Sequence, residues 1–192
     1  IVNKMKAASV TIKSEDSNRG FGSGVIIAWA DKLYVLTAYH VADVFIERYQ
    51  VPPWEAKERW AEKREPIRLT QTIYQNDQKV GQKEFLADLV FYNRRTDLAL
   101  LAIRDATGIV ATTMSKELPQ VGDDVFVVSS PANLEASLSR GIIMAKGRTL
   151  KNWNMTNTDL TADQHDAILW FGSSGSGVFN TKGEVVGINV AK

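Results

Sequence analysis

Short runs rich in β-branched and other apolar residues, each closed off by Gly, Asn or Asp, recur from one end of the chain to the other. This punctuation constrains the fold most. The runs are Ala8 to Ile12, Gly24 to Trp29, Leu33 to Thr37, Ile67 to Tyr74, Glu84 to Tyr92, Ala99 to Ile103, Asp124 to Ser129, Gly141 to Arg148, Ala167 to Trp170 and Glu184 to Val190. Strands this short and this regularly interrupted predict an all-β barrel or sandwich. In VIIAWADKLYVLTA, Ala30, Asp31 and Lys32 join two apolar runs as a hairpin turn would. With 192 residues, 44% of them hydrophobic, the chain has material for one large domain or two small ones.

One segment breaks the pattern. PPWEAKERWAEKREP, residues 52–66, opens on prolines and continues in good helix formers, which predicts a short helix over Trp54 to Arg64. Its charges read as the solvated face of a surface insertion, with a partner contact as the alternative.

Composition removes several classes of function. There is no cysteine, so disulfides, Cys-ligated zinc and a Cys nucleophile are out of reach. Only two histidines occur, so a metal site has almost no ligands, and no cofactor is expected. Lys plus Arg number 23 against 22 Asp plus Glu, and a net charge of +1 offers no global field for nucleic acid. No apolar run is long enough for membrane insertion. The chain opens on Ile1, so a leader removed or omitted would go unseen and localisation stays open.

The chemistry concentrates in three places. His40, in LTAYHVAD, follows an apolar strand, and a neutral imidazole there can take a proton from a hydroxyl near pH 7. Alone it reads first as a structural histidine. FGSSGSGVFN, residues 171–180, can turn tightly enough to aim several backbone N–H groups at one point. Ser173, Ser174 and Ser176 each supply a hydroxyl, although Gly/Ser turns between strands are also common as plain connections. Asp97, in RRTDLALLAI, enters a hydrophobic run, where a carboxylate needs a partner such as an imidazole N–H. Asp88, in LADLVF, is the weaker rival.

Together these segments resemble the HtrA/DegP-like branch of the chymotrypsin-fold peptidases, in the chain order His, Asp, Ser. GFGSGVIIAWADKLYVLTAYHV is similar to the segment leading to that family's catalytic His, and NRRTDLALLAI to its Asp segment. VGDDVFVVSSPANLEASLSRGIIMAKGR is similar to the stretch between Asp and Ser, and GSSGSGVFNTKGEVVGINVA to the nucleophile loop with its hairpin. The resemblance runs from Ala8 to Ala191 and leaves out residues 45–66.

It implies an all-β fold of two antiparallel six-stranded β-barrels, the first over about 8–105 and the second over about 120–192. They would form a single peptidase domain with no PDZ domain following. It implies a catalytic triad of His40, Asp97 and Ser174, with the Gly172 and Ser174 N–H groups as oxyanion hole, and a protein or peptide as substrate. Homo-oligomers are frequent in such relatives and remain open here. Ile168, six residues before Ser174, falls where tryptic enzymes carry a pocket-floor Asp. It is therefore the expected specificity-pocket residue, favouring a small or medium apolar side chain. Ser173 stands where zymogen-activated relatives have an Asp, so Ile1-Val2 reads as coincidence or a processing boundary. Ser176 and Gly177 replace the usual Gly and Pro. Relatives continue past GINVA, so the second barrel is expected to be incomplete at Lys192 or completed differently. A catalytically silent binding or structural module of the same fold is the alternative.

Overall fold

The computed structural model describes residues 1–13, 21–51, 60–149 and 161–190. Helix α1 (Val2–Ala7) leads into β1 (Ser9–Lys13), β2 (Phe21–Trp29) and β3 (Lys32–Ala38). A short helical turn α2 (Tyr39–Ala42) and a hairpin of β4 (Ile46–Gln50) and β5 (Trp60–Arg64) follow. Then come β6 (Ile67–Gln75), β7 (Gln78–Asn93) and β8 (Leu98–Ile103). Strands β1, β2, β3, β8, β7 and β6 hydrogen-bond in that order into a closed barrel. Closure removes the free edges that an open sheet would expose. Two of its hairpins turn on two residues each, Ala30-Asp31 and Asn76-Asp77, all four with φ between 47° and 62°. That left-handed pair matches the twist of the flanking strands.

The second unit contains β9 (Asp124–Ser129), β10 (Ser137–Thr149), β11 (Thr161–His165), β12 (Gly177–Phe179) and β13 (Val185–Ile188). Its sheet runs β11-β10-β9-β12-β13 and curls into a half-barrel, giving the expected two-unit all-β architecture with five strands in this sheet among the described residues.

Strand β2 reads as a continuous apolar run because both of its faces are buried. Ile26 points into the closed barrel with Val10, Ile12, Val35, Leu69 and Leu101. Val25 and Ile27 point the other way, onto Val128 and Phe179 of the second sheet and Met5 of α1. One strand therefore belongs to two cores, and the units are joined through it. No helix of the described residues is long and apolar enough to cross a membrane.

Two expectations change. The helix over Trp54 to Arg64 gives way at its C-terminal end to β5, whose Trp60–Arg64 pairs antiparallel with Ile46–Gln50, and the remainder lies outside the described residues. Arg48 and Glu62 stand directly opposite in that ladder and form an ion pair at 3.2 Å, so a cross-strand pairing outweighs local helix propensity. Ala167 to Trp170 is not a strand; the paired strand there is β11, Thr161–His165.

The units are also tied by one carboxylate. Glu135 is contacted by Lys13 of β1, by Thr72 of β6 and by Lys79 and Gln82 of β7. Burial opposes its charge, but Lys79 and Lys13 outweigh that and hold its carboxyl below the usual glutamate range. A depressed carboxyl pKa stabilises the fold above the unfolded-state value, and this contribution disappears as pH falls through the folded-state value. Glu135→Gln should lower the unfolding temperature at pH 7 and weaken its decline on acidification, as measured by thermal unfolding between pH 7 and pH 3.

Candidate active site

The register of β3 against β8 brings the first two candidate residues together. Ala38 lies opposite Leu98, so the next residue of one strand meets the preceding residue of the other, and Tyr39 N donates to Asp97 O at 2.9 Å. His40 follows on the turn α2. Asp97 adopts φ 52°, a left-handed conformation that Asp tolerates better than most residues, and is 7% exposed. From there Asp97 Oδ1 accepts the His40 backbone N–H at 2.9 Å and Oδ2 meets His40 Nδ1 at 2.7 Å. With Nδ1–H donating to the carboxylate, Nε2 is left with a free lone pair. The imidazole is about half exposed, as a proton acceptor for an incoming group has to be.

The turn that carries His40 is held from outside. The Tyr39 ring stacks on Tyr92 at 4.9 Å, and its hydroxyl bridges Asp43, Arg48 and Arg94. Burial and the Asp43 carboxylate push the Tyr39 phenol above its ordinary value, so it stays a donor to Asp43. Asp88, the rival carboxylate, is engaged elsewhere: it makes a two-pronged pair with Arg104 at 2.8 and 2.7 Å on the surface.

The glycine-rich turn before β12 sorts its three serines. The Ser173 hydroxyl is buried with Ser129 and the Trp170 N–H. The Ser176 hydroxyl is buried and donates to Ser173 O. Ser174 alone is partly exposed, and among the described residues its hydroxyl makes no hydrogen bond, His40 included. The backbone sorts likewise. Ser173 N, Gly175 N and Ser176 N donate to Trp170 O, Asn189 O and Ser173 O, whereas Gly172 N and Ser174 N have no acceptor among the described residues. Two idle donors flanking a half-exposed hydroxyl are what an anionic oxygen would need.

The turn meets the first barrel through β2 and β3. Ser23 N donates to Ser174 O at 2.8 Å, Ser23 Oγ donates to Gly172 O at 2.7 Å, and Ser130 N donates back to Ser23 Oγ at 3.0 Å. Thr37 Oγ1 donates to Ser23 O at 2.7 Å. Gly175, with φ 83°, lies so close that a Cβ would come within 2.1 Å of Thr37 Oγ1 and 2.2 Å of Ser23 O, and 2.9 Å from Ala38 N. Ala38 is two residues from His40, so this contact brings the Ser174 turn beside the His40 turn. Ser23 and Thr37 are the residues the sequence reading missed. The one signal was a serine held between glycines in GFGSG.

Beside these turns a cavity of about 910 Å³ is lined by Leu36, Leu98, Ala167, Leu169, Val178 and Asn189, among others. Ile168 is not among its lining residues: it is 79% exposed, and Ala167 and Leu169 take the inner positions. Past the end of β11 the chain buries Ala167 and leaves Ile168 exposed. His165 is half-buried and hydrogen-bonded with Asn189 at 2.7 Å.

Comparison with known proteins fits this picture. Residues 22–188 match the family model described as a trypsin-like peptidase domain. A probable periplasmic serine endoprotease, DegP-like, from Pseudomonas putida (strain GB-1) is 39% identical over 108 residues, 56% of this chain and 22% of that protein. The chain thus spans about a fifth of the length of that curated relative. The crystal structure of the serine endoprotease from Yersinia pestis superposes with TM-score 0.69 at 29% identity, covering 100% of this chain and 58% of that one. Deg5 shares the fold, with TM-score 0.68 at 21% identity over 98% of this chain and 81% of that one.

Ser23→Ala would leave Ser130 N–H and Gly172 O buried without their partner. It should cost about 1–3 kcal/mol in urea unfolding, and Gly175→Ala should cost more because its Cβ has no room.

Proposed function

The chain belongs to the trypsin-like peptidase domain family, and on that premise we propose that it is a serine endopeptidase working through His40, Asp97 and Ser174. The observation that carries the assignment is the doubly bonded His40–Asp97 pair, with Nε2 free, beside a turn whose single idle hydroxyl is Ser174. In this reading Ser174 Oγ attacks the scissile carbonyl carbon while its proton passes to His40 Nε2. The carbonyl oxygen becomes an oxyanion held by Gly172 N–H and Ser174 N–H, and Asp97 stabilises the imidazolium. The C–N bond then breaks as Nε2–H protonates the leaving amine. Water, deprotonated by the same nitrogen, releases the acyl group and restores Ser174.

The substrate class is a protein or peptide. The largely apolar cavity is not lined by His40, Asp97 or Ser174 themselves, but it reaches Leu98 next to Asp97 and Asn189 behind Gly175, which supports an apolar side chain near the cleaved bond. The silent-module reading draws on one observation, the absence of a hydrogen bond between Ser174 and His40 among the described residues. Nucleophile–base hydrogen bonds are often long in unliganded sites and tighten on substrate binding, so the geometry favours the enzyme.

A fluorophosphonate probe, which reacts with activated serines, should label the parent chain and leave Ser174→Ala and His40→Ala unlabelled. Asp97→Asn should label about 10⁴-fold more slowly. A folded parent that takes no label would favour the silent module.

A further inference from the structure

Three polar side chains behind the nucleophile turn are not used by the triad: Ser176, Asn189 and His165. They come from the turn itself, from the residue after β13 and from the end of β11, and they form a continuous hydrogen-bonded line. Its polarity follows from its far end. Ser173 O is a carbonyl and can only accept, so Ser176 Oγ, 2.7 Å away, spends its single proton there. Ser176 Oγ must then accept from Asn189, which presents Nδ2 to it at 2.8 Å. That turns Asn189 Oδ1 toward His165, and the 2.7 Å contact requires His165 Nε2 to carry the hydrogen. His165 Nδ1 is left bare, buried and without a partner among the described residues. The backbone runs alongside: Gly175 N donates to Asn189 O at 2.7 Å and Asn189 N to Ser176 O at 2.9 Å.

The line ends on a peptide unit that matters. Ser173 O accepts from both Ser176 N, at 3.1 Å, and Ser176 Oγ. In a planar trans peptide the C=O and N–H of one unit point in opposite directions. Two donors that hold the Ser173 carbonyl inward therefore hold the Ser174 N–H outward, where it has no acceptor among the described residues.

Resting on the serine-nucleophile reading above, we propose that His165, Asn189 and Ser176 form a positioning relay that orients the Ser174 N–H as an oxyanion donor. Ser176 is fully buried, whereas Asn189 and His165 also border the cavity described above; the role proposed for all three is to position the donor, not to bind substrate. His165 Nε2–H orders the Asn189 amide, the amide orders the Ser176 hydroxyl, and the hydroxyl fixes the Ser173–Ser174 peptide. A glycine at position 176 would keep only the backbone donor, so Ser176 adds the second hold and Asn189 and His165 give it one direction.

Two measurements test this. In the parent chain, ¹⁵N NMR of the imidazoles should find His165 protonated at Nε2 and bare at Nδ1, with a slowly exchanging Nε2 proton; the opposite tautomer would overturn the relay without reference to activity. In labelling with the fluorophosphonate, Ser176→Ala should lower the maximal rate constant about 10-fold with the half-saturating concentration changed less than about two-fold, a part of what loss of a whole oxyanion donor costs. His165→Leu should show the same split to a smaller degree. His165→Gln, whose side-chain amide can still donate to Asn189, should stay within about two-fold of the parent by the same measure. If Ser176→Ala and His165→Leu label as fast as the parent while folded, the relay does not position the donor. A folded parent that takes no label at all would overturn the nucleophile assignment and the relay's purpose with it, and is told apart by the parent's own result.

Discussion

A buried serine hydroxyl on the second barrel strand governs how the two units of this protein meet. Ser23 sits on β2, fully buried; its hydroxyl donates to Gly172 O and accepts from Ser130 N, while its backbone N–H donates to Ser174 O. Each of these groups would be left unsatisfied inside the protein if the turn shifted by a fraction of a hydrogen-bond length. Gly175 closes the same contact sterically, since no other residue leaves room against Thr37 and Ser23. The distance between the turn bearing Ser174 and the turn bearing His40 is therefore set by the packing of β2 and β3, not by flexible loops.

The candidate chemistry follows from that joint. The β3–β8 register aligns Asp97 with His40, and the seam brings the Ser174 turn beside them. The turn then divides its groups into spent and unspent. Buried serines and three of its amides are committed to structure, and what stays uncommitted is one hydroxyl and two N–H groups. Carbonyls of the preceding residues aim those amides: Phe171 O is held by Ala132 N and Ser173 O by Ser176. Preorganised donors of this kind need no reorganisation when charge develops, and that is where enzymes of this chemistry gain most.

Much of this was legible in the residues. The strands of the closed barrel are local apolar runs with turn residues between them; His40 and Asp97 stand at strand ends and Ser174 in a glycine-rich turn, each inside a short motif. What was not legible depends on distant partners. Residues 60–64 favour helix locally, but β4 supplies a ladder and Arg48 an opposite charge for Glu62. Ile168 lies past the end of β11, in a segment with no strand pairing, so no in-out period in the sequence tells which way it faces. Ser23 looks like one small residue among glycines, and its role appears only when Gly172 and Ser130 are folded onto it. The His165–Asn189–Ser176 line draws on three separated segments that no spacing rule connects.

The central claim is that one hydroxyl of the glycine-rich turn is set apart as a nucleophile. The most direct measurement is peptide mapping by mass spectrometry after reaction with diisopropyl fluorophosphate, which leaves a covalent adduct on the attacking oxygen. The account predicts a single adduct per chain, on Ser174. An adduct on Ser173, Ser176 or a serine outside the turn, or equal modification of several serines, would contradict it.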